Sequence, residues 1–245
     1  MENFNPILML DNEYENVSDL EEILEIAGRK AFPDAREITI LAESAEETIR
    51  IMIDKKNSEE SFSGLIFDNH LYGEMDGDDL LRIIHGKTGY CFKKNSVYTN
   101  LKPSKFKSFK EFANVATDNK HSSRSQMILD FLEEHFKGIK DYVSFVNYFS
   151  QERNEFPQIF LSGSTSRIDS TGLYGIYYVQ KCQGCEYNVL DIIKNEGIFS
   201  PDVIIPAINN HYRLSPVIQQ KKKEYNPSSK HIKTRKKILR GKRKK

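Results

Sequence analysis

The sequence predicts an α/β protein with a doubly wound, parallel five-stranded sheet. Three observations point there. Short apolar runs without polar alternation recur at Ile7–Leu10, Ile38–Ala42, Leu65–Phe67, Ile159–Leu161 and Ile176–Val179, as expected of strands buried on both faces. Stretches of helical period separate the first three, which argues for right-handed crossovers. Four runs lead into a residue suited to phosphoryl or metal chemistry: Asp11, Asp68, Ser162 and, through Gln180, Lys181. Open α/β sheets bind ligands at the C-terminal ends of their strands.

The elements follow in order. Ile7–Leu10 reads as a buried strand. Leu20, Ile23, Leu24, Ile26 and Ala27 then recur at helical spacing, with Asn16 or Ser18 as the cap. After the strand Ile38–Ala42, Ser44-Ala-Glu-Glu47 fits a capping box, and Ile49, Ile51, Met52 and Ile53 continue that helix. Leu65–Phe67 is the third strand, and a helix starts at Gly77 and runs to Ile84. The alternation then stops until about Phe156. Within that interval, residues 122–149 carry Met127, Ile128, Phe131, Leu132, Phe136, Ile139, Val143 and Val146 near one stripe, with Gly138 as a divider. Two further strands follow, and Tyr187–Ile193 reads as a closing helix. Ser200-Pro201 and Pro206 punctuate the chain beyond it. The domain reading is a discontinuous α/β unit, 1–84 plus 157–200. A helical and basic-aromatic insertion spans 85–156, an extension 201–220 and a basic tail 221–245.

Composition narrows the class. The 245 residues are 38% hydrophobic and 11% aromatic, a modest apolar content that still builds a core. No apolar run approaches membrane-spanning length. Met1-Glu-Asn-Phe-Asn5 lacks a basic segment followed by an apolar one, so no secretory signal is read. Cys91, Cys182 and Cys185 are too few for a disulfide framework, and reducing cytoplasm is the expected compartment. The net charge of +1 conceals an asymmetry. Lys221–Lys245 is dense in Lys and Arg with Glu224 its only acid, so the remainder is acidic. The tail holds too little apolar surface to offset ordering entropy and is expected to be disordered. As a partner it suits polyanions, nucleic acid or an acidic membrane surface; its alternatives are a solubilising role and attraction to the acidic body.

These residues resemble the receiver, or phosphoacceptor, domain of two-component response regulators. The resemblance rests on Leu8-Met-Leu-Asp11-Asn12-Glu13, on Leu65-Ile-Phe-Asp68 followed by Met75-Asp76-Gly77, on Ile159-Phe-Leu-Ser162-Gly163 and on Tyr178-Val-Gln-Lys181. It covers roughly Pro6–Ile84 and Pro157–Asn195 and implies a receiver-like, flavodoxin-like fold. It implies that Asp68 accepts a phosphoryl group from a histidine kinase or phosphotransfer protein. Mg²⁺ would be bound by the acidic start (Asp11 and the Asn12 position), by Asp68 and by the backbone carbonyl of His70. Ser162 and Lys181 would contact the phosphoryl oxygens, and Tyr178 would be the aromatic that changes rotamer, its face meeting a downstream partner. Phosphoryl transfer depends mainly on positioning and charge neutralisation, which a divalent cation and a lysine supply. Four departures stand out: Asn12 replaces the second adjacent acid, Cys182 replaces the proline after the lysine, Tyr72 stands where proline is common, and the insertion separates Asp68 from Ser162.

Two rival functions remain open on the sequence. A pseudo-receiver would act as an interaction module without phosphorylation. A haloacid-dehalogenase-like phosphatase also uses a strand-end Asp, a Ser and a Lys, but it wants a second acid where this chain has His70. It also wants a downstream acidic pair, which Asp191 and Asp202 do not form.

Other signals are weaker. Cys182-Gln-Gly-Cys185 has no second pair for zinc; a redox pair is the functional reading and coincidence the plainer one. Gly86-Lys87-Thr88 lacks the upstream glycine of a phosphate-binding loop. Lys87–Lys110 interleaves lysines with Tyr90, Phe92, Tyr98, Phe106 and Phe109. That pattern suits a single-stranded nucleic acid groove, and equally a solvated loop whose aromatics pack on the body, the reading preferred here. The stripe after Ser122 is expected to bury itself on its own chain, with a homodimer as the alternative.

Overall fold

The computed structural model describes residues 4–12, 17–68, 71, 75–86, 106–110, 122–150, 157–162, 176–180 and 185–214. The expectations for Lys181, His70, Cys182, Asn16, the basic tail and most of the basic-aromatic stretch lie outside these residues. The elements run β1 (Ile7–Leu10), α1 (Ser18–Ala31), β2 (Thr39–Ala42), α2 (Ala45–Asn57), β3 (Gly64–Asp68) and α3 (Gly77–Ile84). Then come α4 (Ser122–His135), α5 (Ile139–Ser150), β4 (Gln158–Ser162), β5 (Ile176–Gln180), α6 (Cys185–Asn195) and α7 (Pro201–Leu214). The protein is α/β, as the sequence predicts. Its strands pair in parallel in the order β2-β1-β3-β4-β5, compatible with a flavodoxin-like fold.

Strand periodicity sends alternate side chains to opposite faces. Leu8, Leu10, Leu65 and Phe67 enter one core, with α2, α3, α4 and α5. Ile7, Met9, Ile66, Ile159 and Val179 enter the other, with α1, α6 and α7. The stripe after Ser122 therefore packs within the chain: Ile128, Phe131, Leu132, Phe136, Ile139 and Val146 are buried on the face that α2 and α3 share, and Met127 and Val143 pack against it partly buried. Phe109 is buried there too and Phe106 is partly buried, so the two aromatics described from the basic-aromatic stretch pack on the body. Gly138 divides the stripe as expected, at a φ of +153° that favours glycine, and Tyr142 N–H opens the next helix by donating to its carbonyl.

Three local expectations need correction. Ser18 is not a cap but the first residue of α1. Val17 holds the cap position without a side-chain bond, and burial of Val17 against the sheet core fixes that end instead. Ile26 is 37% exposed, because the buried stripe runs through Leu20, Ile23, Leu24 and Ala27 and position 26 falls beside it. Pro201 and Pro206 do not break the chain: both lie in α7. Pro201 sits at the first helical position, where no N–H is needed. An interior Pro206 costs about 3 kcal/mol. Burial of Ile204 and Ala207 against α1 and the sheet offsets it, since one buried aliphatic side chain contributes roughly 1.5–3 kcal/mol. The capping box at Ser44 forms in shifted form. Its hydroxyl accepts from Glu47 N–H at 3.1 Å, while the Glu47 carboxylate accepts from Glu43 N–H at 3.0 Å.

Candidate functional site

The strand order reverses between β1 and β3, so the crevice of this sheet lies beyond their C-terminal ends. Asp11 and Asp68 stand there. Leu10 is registered with Phe67, so the two acids are the next residues on neighbouring parallel strands. Each is only 1% exposed. The backbone of Asp11 is held by its N–H, which donates to the Ala42 carbonyl at 3.2 Å and extends the β1–β2 ladder by one residue. Asp68 is registered with Leu161, which sets Ser162 one residue further along the adjacent strand. Ser162 in turn is registered with Gln180, the residue before Lys181. The fold thus brings the backbones of Asp11, Asp68 and Ser162 to one edge, with the end of β5 beside them. Tyr178, on β5, is registered with Phe160 of β4, two residues short of that edge. Asn12 follows Asp11 and is half-buried.

The chain leaving Asp68 is anchored on the α2–α3 side of the sheet, where Leu71 and Met75 are buried. Asp76 then occupies the N-cap of α3, and its carbonyl accepts from the N–H groups of Asp79 and Leu80 at 3.1 and 3.2 Å. Asp79, in the first turn, is 0% exposed. A carboxylate there is favoured by the partial positive charge of the helix N-terminus. The burial of Asp79 was not legible in the sequence. Three acids cluster at Asp76, Asp78 and Asp79, and nothing in the sequence says which of them turns inward.

The edge fits a small hard cation in part. Two buried carboxylates on adjacent strands are the oxygen donors Mg²⁺ prefers, and Mg²⁺ retains several waters rather than needing a full protein cage. The third donor of the expected set, the His70 carbonyl, lies outside the described residues. Among the described residues, no group of three or more His, Cys, Asp or Glu is arranged to hold a metal ion. A shallow cleft around Arg50, Glu134 and His135 includes neither Asp11 nor Asp68. Among the described residues no helix is long and apolar enough to cross a membrane. No family model, curated protein or solved structure matches the chain.

Proposed function

We propose that the chain is a phosphorylation-dependent signalling switch resembling a response regulator receiver, with Asp68 as phosphoacceptor. One observation carries the reading: two acids, each almost wholly buried, end adjacent parallel strands at the switch point of the sheet. Two acids at neighbouring strand ends supply the hard oxygen ligands that a divalent cation prefers. A carboxylate oxygen of Asp68 attacks phosphorus as the bond to the donor nitrogen breaks, and that nitrogen keeps the electron pair. Asp11, Asp68 and the His70 carbonyl would hold Mg²⁺, which supplies charge neutralisation when bound. Lys181 and Ser162 are assigned to the phosphoryl oxygens, and Tyr178 to the response. A histidine kinase or phosphotransfer protein is the proposed donor, and the basic tail the proposed contact for polyanions.

The Asn12 position favours a second reading. A neutral amide stands beside Asp11 where a further acid would strengthen Mg²⁺ binding, which suits a pseudo-receiver that signals without phosphorylation. Incubation with acetyl phosphate and Mg²⁺, followed by intact mass measurement, separates the readings. The switch gains the mass of one phosphoryl group, and Asp68→Asn abolishes the gain. An unchanged mass at every Mg²⁺ concentration rejects the switch in favour of the interaction module. Steady hydrolysis of a phosphate ester, lost in Asp68→Asn, assigns the chain to the phosphatase class instead.

A further inference from the structure

We infer that the insertion reads the state of the acidic edge through α3, with Tyr142 as the positioning residue at the junction. The inference rests on the switch reading and names the element that responds.

Helix α3 begins at the acidic edge, with Asp76 at the N-cap position and the buried Asp79 in its first turn. Leu80, Leu81, Ile83 and Ile84 are all buried. A helix of two turns, embedded in a close-packed core, moves as one body, so displacement of its first turn reaches its last. That last turn is gripped from two sides. The Tyr142 hydroxyl, on α5, donates to the Ile83 carbonyl at 2.8 Å. The carbonyl also accepts from Gly86 N–H at 3.0 Å, so both its lone pairs are used. The His85 ring meets Gln158 Oε1 at 2.7 Å, tying the same turn to the start of β4.

Tyr142 is wholly buried and leads into a run of rings. Its centroid lies 5.2 Å from Phe136, which is 5.1 Å from Phe145, which is 5.1 Å from Phe149. The far part of α5 is fixed elsewhere: the Tyr148 hydroxyl donates to the Glu60 carbonyl at 2.7 Å, ahead of β3. Helix α5 is therefore held at one end by the element that begins at the candidate site and at the other by chain that does not. A shift of α3 turns α5 about its Tyr148 end.

The test uses the full chain with acetyl phosphate and Mg²⁺. Intact mass gives the adduct fraction, and amide hydrogen exchange follows residues 139–150 in the same samples. In the wild type, exchange in 139–150 changes in proportion to the adduct. Tyr142→Phe forms the same adduct but loses that change, whereas Tyr148→Phe keeps it. A merely structural role for Tyr142 would alter exchange equally with and without the adduct. An adduct with unaltered exchange at 139–150 in the wild type overturns the inference and leaves the switch reading intact. A response in Tyr142→Phe equal to the wild type removes Tyr142 from the junction. Absence of any adduct overturns both.

Discussion

The two faces of the sheet are covered by different means. On one, α1, α6 and α7 pack mainly aliphatic side chains onto the strands, and the rings among the described residues there include Phe4, Phe32, Phe199 and the partly buried Tyr177. On the other, α4 and α5 add a run of aromatic rings over α2 and α3, and two tyrosine hydroxyls bond backbone carbonyls outside the insertion. Aliphatic packing is adaptable and has no fixed direction. A hydroxyl on a particular carbonyl fixes register, since the bond weakens steeply once its geometry is lost. The face carrying the insertion is thus the more specifically located one, and it adjoins the helix that begins at Asp76.

The largest effect expected from this contrast is at Phe145. It is wholly buried between Phe136 and Phe149. Phe145→Ala should cost about 3–5 kcal/mol through lost transfer energy and the cavity left behind. Urea unfolding measures it. If Leu190→Ala on the opposite face costs as much, the aromatic run has no special weight and the contrast fails.

Gly28 tests the other face. A Cβ there would lie 2.2 Å from Ile38 Cγ2 and 2.8 Å from its Cδ1, and Ile38 is wholly buried. Overpacking costs about 1–3 kcal/mol, while alanine regains roughly 0.5–1 kcal/mol of helix propensity over glycine. Gly28→Ala should therefore destabilise by about 1 kcal/mol, seen as a lower urea midpoint at unchanged slope. Ile38→Ala in the same chain should reduce the penalty of the added methyl. A neutral Gly28→Ala would mean this face yields more than close packing allows.

The contrast between faces was half legible in the sequence. The strands announce themselves because each is a short apolar run ending in a polar residue, and Ser44 and Gly138 carry local chemistry that does not depend on the fold. The acidic edge was readable through Asp11 and Asp68, since strand-end placement follows from the alternation of elements. The burial of Asp79 was not readable, because which acid among three is buried is decided by how α3 docks. Helix α7 was missed because Pro206 counts against a helix locally, while what offsets it is contact with α1, about 180 positions earlier in the chain. The register of Tyr142 on Ile83 was equally invisible: a tyrosine on a helical stripe does not name the carbonyl it will reach.

The smallest effect is a pH-dependent tie on the aliphatic face. Tyr177 on β5 donates its hydroxyl to the Glu196 carboxylate just after α6. Burial, then the hydrogen bond and the charge of Glu196, push the phenol up to about 12 from an ordinary 10.0. A raised value favours the protonated form in the folded chain, so the contribution is complete below pH 10 and is lost between pH 10 and about 12. Ultraviolet titration of the phenolates should lose a late-ionising component in Tyr177→Phe, and Glu196→Gln should bring that component's midpoint down without returning it to the ordinary value, because burial acts first. The same substitution should leave exchange in 139–150 unaltered, since Tyr177 belongs to the core away from the insertion. A change there would mean that the two faces communicate through the sheet itself, and the insertion would then answer to more than α3.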